Sequence, residues 1–267
     1  MALRYTANLT FLFGELPFEK RIRAAAAAGF THVECMFPYG WSAQFLRGEL
    51  AATGLRMELF NMYPGDFAAG DRGLMVDPHR RDEFRNALGH SLEYAQALEC
   101  PRMHAMVGNV PEGLARDIAH ASLVESLRYA APLAAEAGVT LRIEALNAGD
   151  FPHFFLRNSA DAFAILKEVG QPNVKFQFDC YHLQISEGNL TQTFRAHVAE
   201  IGHVQIADVP GRHQPGTGEI NYPFVLRMIE ESGYDGFVGL EYLPHGHTDE
   251  ALAWLPAEAR RAGKDPS

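Results

Sequence analysis

The chain has 267 residues, 47% of them hydrophobic, and its 23 Lys and Arg against 33 Asp and Glu give a formal net charge of −10. An acidic balance with no run of Lys or Arg offers no electrostatic footprint for a phosphate backbone, which argues against nucleic acid as a partner while leaving small anionic substrates open. No stretch of about 18 apolar residues is available to span a membrane, and the N-terminal segment lacks the apolar run of a secretory signal. Cys35, Cys100 and Cys180 are too few and too widely spaced for a disulfide framework or a CxxC metal site, and are expected as reduced thiols in a cytoplasmic protein.

Short β-rich runs alternate with longer helical stretches along the whole chain. The first strand is expected over Leu3–Phe11, followed after Pro17 by a helix through Ala24–Ala28 that stops at Gly29. The second strand is His32–Met36, and Ser42 caps a helix running to Thr53. Arg56–Asn61 is the third strand. The glycine-rich segment Pro64–Gly73 after it is too long for a minimal βα turn and is a candidate functional loop. Helix Arg80–Leu98 leads to strand Arg102–Val107, and helix Leu114–Ala137 to strand Thr140–Leu146. Helix Ser159–Val169 precedes strand Val174–Asp179, helix Leu190–Ala199 precedes Ile201–Asp208, and helix Tyr222–Ser232 precedes Phe237–Tyr242. A last helix is expected over Asp249–Arg261. Eight βα units with no linker or composition break point to one (β/α)8 TIM barrel occupying residues 1–267. The rival, a doubly wound open sheet, lacks its G-x-G-x-x-G fingerprint in the first βα turn.

In such a barrel the chemistry sits at the C-terminal ends of the strands. The last four strands each carry one polar residue near that end: Glu144, Asp179, Gln205 and Glu241. Three carboxylates converging on one mouth repel one another and are costly to desolvate, a conflict that a divalent cation resolves. An all-oxygen donor set suits a hard ion, Mg²⁺ or Mn²⁺. Taken singly, each of the four is better explained by a helix N-terminus or an Arg partner; four at equivalent positions reverse that and favour the metal. His182, expected in the loop after the sixth strand, and Arg212, in a Gly- and Pro-rich loop after the seventh, are candidates to hold a substrate oxygen and a substrate carboxylate. His104 and Asn61, near the ends of strands four and three, are candidate pocket walls, and Met57, Met62 and Met103 are expected core residues.

Several motifs resemble the hydroxypyruvate isomerase family of xylose-isomerase-like TIM barrels: Asn8-Leu-Thr with Phe13-Gly-Glu, Phe37-Pro-Tyr, Pro64-Gly-Asp with Ala69-Gly-Asp-Arg-Gly, Ile143-Glu-Ala-Leu-Asn, Phe178-Asp-Cys-Tyr-His, Gly202-His-Val-Gln-Ile-Ala-Asp, Pro215-Gly-Thr-Gly-Glu-Ile-Asn-Tyr and Gly239-Leu-Glu-Tyr. The resemblance follows nearly the whole chain in order. It implies a metal-assisted interconversion of hydroxypyruvate and 2-hydroxy-3-oxopropanoate through an enediolate. Glu144 and Glu241 match the family's proton-transfer pair, and Glu144, Asp179, Gln205 and Glu241 its metal ligands. The related ketose epimerases carry His at the place of Gln205, and His182 and Arg212 fall where those enzymes contact substrate. The fifth-strand motif departs from the common Glu-Pro-Ile-Asn, which touches local loop shape and not the carboxylate. The expected partner is a small 2-oxo acid, with homo-oligomerisation left open. Isomerisation of 2-dehydrotetronate or 3-epimerisation of a ketose on the same site is the alternative, and a catalytically silent sugar-acid-binding barrel is the reading from another class.

Overall fold

A computed structural model describes residues 2–261 of the chain, so Met1 and residues 262–267 of the expected 1–267 domain lie outside the described residues. Eight parallel strands close into a barrel in sequence order: β1 (Arg4–Asn8), β2 (His32–Cys35), β3 (Arg56–Asn61), β4 (Arg102–His104), β5 (Thr140–Glu144), β6 (Val174–Asp179), β7 (Ile201–Ile206) and β8 (Phe237–Leu240). The ring closes where Arg4–Ala7 of β1 pair in register with Phe237–Leu240 of β8. This excludes the open-sheet alternative.

The connecting helices are α1 (Phe18–Ala27), α2 (Ala43–Thr53), α3 (Arg81–Ala97), α4 (Arg116–Glu136), α5 (Ser159–Val169), α6 (Cys180–Ser186), α7 (Leu190–His197) and α8 (Tyr222–Glu231), with the short α9 (Thr248–Ala251) and α10 (Ala257–Arg261) after β8. Their limits follow local chemistry. Ser42 accepts from the Phe45 amide to start α2, and Asn158 from the Asp161 amide to start α5. Gly54 and Gly170 end the same two helices in the left-handed conformation.

Several sequence expectations need correction, among them the ends of β4, β5, β7 and β8, expected at Val107, Leu146, Asp208 and Tyr242 and found at His104, Glu144, Ile206 and Leu240. β1 ends at Asn8 and not Phe11, because the Asn8 side chain accepts from the Thr10 amide at 3.0 Å and turns the chain. The single last helix is two short ones, interrupted before Pro256, whose ring and missing N–H suit a helix start and not its interior. His182 lies in no loop: Asp179, the last residue of β6, caps α6 directly, and His182 sits in its first turn.

Outward strand residues such as Ile143, Phe176, Phe178 and Val204 are buried against the helices. The barrel interior is polar, unlike the branched apolar layers usual in this architecture. Contacts between non-adjacent strands identify the inward set: Glu34 on β2 meets His203 and Gln205 on β7, and Arg142 on β5 lies against Gly202 on β7. Met57, Met62 and Met103 are buried, as are all three free cysteines.

Candidate active site

The C-terminal mouth gathers the residues that the strand ends supply. Glu144 and Asp179 are the last residues of β5 and β6, Gln205 is the penultimate residue of β7, and Glu241 follows β8 directly. All four are buried. Asp179 uses Oδ1 to accept from the Tyr181 and His182 amides of α6, at 2.7 and 3.3 Å, which leaves Oδ2 facing the mouth. Glu144 Oε2 accepts from Gln177 Nε2 at 3.0 Å, while its buried Oε1 has no hydrogen-bond partner among the described residues.

Arg212 enters from the loop after β7. Asp208 shapes that loop by accepting from the amides of Val209, Gly216, Gly218 and Ile220. Arg212 Nη2 donates to Glu241 Oε2 at 2.8 Å and lies 3.6 Å from Asp179 Oδ2, and its guanidinium is held between the Phe11 and Tyr181 rings. Its buried Nε has no hydrogen-bond partner among the described residues.

Burial, with Asp179 and Glu241 as neighbouring negative charges, pushes the Glu144 carboxyl well above its usual range. Burial does the same to Glu241, against the pull of Arg212. Burial acts to lower Arg212, but Glu241, Asp179 and Glu144 outweigh it and its pKa rises. One guanidinium thus faces three crowded carboxylates. Oxygen donors in negative excess, one of them without a partner, fit a hard divalent cation. Glu144, Asp179 and His182 place one candidate ligand atom each within 4.8 Å of one another.

His182 is better suited to donate than to ligate. Its Nδ1 accepts from the Asn147 backbone amide at 3.3 Å and from Asn147 Nδ2 at 2.8 Å, so the neutral ring carries its proton on Nε2, 3.9 Å from Asp179 Oδ2. Burial keeps the ring neutral, with a pKa lowered to about 4. His104 Nε2, without a hydrogen-bond partner among the described residues, lies 3.5 Å from Glu144 Oε2, and burial lowers its pKa to about 3. Asn61, His104, His182, Arg212, Glu144 and Glu241 line one cavity of about 180 Å³. Its remaining walls are apolar and include Phe67, from the glycine-rich loop, and Phe151.

Gln205 is anchored from below. Its Oε1 accepts from Gln177 Nε2 at 2.7 Å and its Nε2 donates to Glu34 Oε1 at 2.8 Å. Glu34 is the hub of a layer that sequence reasoning missed: it also accepts from Thr6 at 2.6 Å, from Asn8 at 3.1 Å, and pairs with His203 Nε2 at 2.8 Å. Asn8 extends the network to Glu241 Oε1 at 3.3 Å. Burial alone would raise Glu34, but His203, Thr6 and Gln205 hold it below the usual carboxylate range. The carboxylate fits because Gly239 faces it, where a Cβ would stand 2.5 Å from Oε1. The available signal was polar residues two apart on one strand, Thr6 with Asn8, Gln177 with Asp179, and His203 with Gln205.

The family model for the xylose isomerase-like TIM barrel matches residues 22–258. The chain is 46% identical over 252 residues to a 2-oxo-tetronate isomerase of Cupriavidus necator, covering 94% of this chain and 97% of that protein. It is 44% identical to the hydroxypyruvate isomerase of Escherichia coli, covering 95% and 98%. A crystal structure described as an AP endonuclease, family 2, from Brucella melitensis superposes with a TM-score of 0.92 at 44% identity, over 95% of this chain and 98% of that one. A D-allulose 3-epimerase from Methylomonas with bound D-allulose shares the fold alone, at 20% identity, a TM-score of 0.75 and coverage of 94% and 88%. The chain belongs to the xylose isomerase-like TIM barrel family, and is an isomerase of the group those first two relatives represent.

Proposed function

We propose that this member of the family is a metal-assisted isomerase of a small 2-oxo acid, interconverting hydroxypyruvate and 2-hydroxy-3-oxopropanoate. The observation that carries this reading is the cavity of about 180 Å³ at the C-terminal mouth, where Glu144 and Glu241 face a space bounded by Arg212 and His182.

Glu144, Asp179, Gln205 and Glu241 would hold a divalent cation, Mg²⁺ or Mn²⁺, which would offset the negative charge that develops on neighbouring substrate oxygens as a C–H proton leaves. Arg212 offers its unpartnered Nε to the substrate carboxylate. His182 Nε2–H donates to a substrate oxygen, its tautomer fixed by Asn147. The isomerisation moves one carbon-bound proton from C3 to C2 and one hydroxyl proton from O3 to O2, so no atom is gained or lost. Glu144 takes the first proton, and Glu241 is its counterpart for return at the neighbouring carbon. Phe67 and Phe151 keep water from the reacting face.

A specific observation supports a second substrate within the same reading: the relative at 46% identity is named for 2-oxo-tetronate. Turnover of hydroxypyruvate, 2-dehydrotetronate and a ketohexose, measured after EDTA treatment and again with added Mg²⁺ or Mn²⁺, tests both points. Activity on a 2-oxo acid, lost with EDTA and restored by either ion, is the expected result. Preference for the ketohexose overturns the substrate class, and full activity in EDTA overturns the metal.

A further inference from the structure

We infer that the N-terminal mouth of the barrel is a second site, built to bind a small molecule through a phosphate or carboxylate group. A cavity of about 660 Å³ opens there, between the starts of β4 to β8. Arg102, Arg142 and Lys175 line it against one carboxylate, Asp235, in a chain whose overall charge is −10. The volume falls in the range of small-molecule pockets.

Arg142 carries the argument. It is only 4% exposed, yet no carboxylate lies within ion-pairing distance of it among the described residues. Nη1 donates to the Leu141 carbonyl at 3.1 Å, and the buried Nε has no hydrogen-bond partner among the described residues. Burial, and then the like charge of Arg102, push its pKa down to about 10, against the weaker opposing pull of Tyr234 and Glu58. A buried cation left uncompensated is unfavourable unless an anion completes it. The neighbours do not supply one: Glu58, whose charge does act on Arg142, is paired with Arg102, and the adjacent Lys175 Nζ donates to the Ala199 carbonyl at 2.9 Å.

The backbone is shaped around this side chain. At Gly202 on β7 a Cβ would stand 2.5 Å from Arg142 Nε, so any larger residue displaces the guanidinium. A planar cation with donors in a fixed fork, flanked by a second guanidinium and an ammonium, matches an oxyanion with two or more oxygens. The site is independent of the chemistry proposed for the opposite mouth.

Titration calorimetry of the full chain with inorganic phosphate, and separately with malonate, at constant ionic strength tests the inference. Saturable binding of at least one probe is expected, and the tighter probe identifies the group the site takes. Arg142→Met should weaken that binding more than about tenfold, the scale of losing one partner of a desolvated charge pair. Lys175→Met should weaken it several-fold and leave isomerase activity unchanged, and Arg212→Met should leave the binding intact. Should Arg142→Met fail to fold, Gly202→Ala with Lys175→Met decides, since each alters the site from outside the guanidinium. Absence of saturable binding of either probe overturns the inference. So does wild-type affinity in Lys175→Met together with Arg142→Met or Gly202→Ala, and so does binding that disappears in Arg212→Met, which would place the anion at the C-terminal mouth.

Discussion

The two mouths of the barrel are built from the same strands and carry opposite charge. On β5, Arg142 faces the N-terminal mouth and Glu144, two residues on, the C-terminal one; on β6, Lys175 and Asp179 divide in the same way. At about 3.3 Å per residue these ends are close enough to interact. They nevertheless behave as separate environments. The charges that shift Glu144 are Asp179, Glu241 and Arg212, all at its own mouth, whereas those acting on Arg142 are Arg102, Tyr234 and Glu58. Between them lies the hydrogen-bonded layer of Glu34, His203, Gln205 and Gln177. The comparison teaches that a polar barrel core can separate two charged sites when hydrogen bonds tie its strands together, even though Gln177 Oε1 and His203 Nδ1 have no partner among the described residues.

The largest expected effect breaks the C-terminal side. Glu241→Gln should lower turnover about a thousandfold, the scale of losing a positioned acid–base group, with the folded circular-dichroism signature retained. Near wild-type turnover would sink the assignment of Glu241. Glu34→Ala attacks the dividing layer. It leaves His203, Thr6 and Gln205 without their shared acceptor and should cost about 3 kcal/mol in urea unfolding. A loss under about 1 kcal/mol would mean that the layer is not an organising element.

Glu58 sharpens the N-terminal side through pH. Burial pushes its carboxyl up to about 7, with Arg102 opposing. Because this folded pKa lies above the unfolded one, the stability it contributes is fully present below the ordinary carboxylate value of 4.5 and is lost as pH rises through about 7. Glu58→Gln should therefore flatten the fall of unfolding free energy across that window by up to about 3 kcal/mol. An unchanged slope would show that Arg102 keeps Glu58 ionised throughout. The smallest effect concerns Arg142→Met. Replacing an uncompensated buried cation by an apolar side chain of similar length should leave stability unchanged or raise it by about 1 kcal/mol, measured without added anion. A marked loss would mean that the guanidinium is chiefly structural.

Much of the candidate site was legible because barrel architecture links strand ends to chemistry. Glu144, Asp179, Gln205 and Glu241 stood out as isolated polar residues closing apolar runs; the structure brings Glu144, Asp179 and Glu241 together at one mouth, with Gln205 held beneath them by Gln177 and Glu34. Arg212 and His182 were found by loop position, although His182 belongs to a helix that a seven-residue segment is too short to announce. Glu34, Gln177, His203 and Arg142 were passed over because each is an ordinary polar residue in its own strand. Their partners lie far away in sequence, as with Glu34 and His203 at 169 positions apart.

The sequence by itself determined the alternation of strands and helices, their caps, and the residue types offered at each strand end, because these depend on local periodicity and backbone hydrogen bonding. Tertiary structure alone decided which of those residues meet. Closing the barrel brought β2 against β7 across its interior, turned Gln205 by fixing its amide on Glu34, and left Arg142 without an ion-paired carboxylate among the described residues at the opposite end. The physical reason is that desolvation and charge pairing act over a few ångströms in space, whatever the distance along the chain.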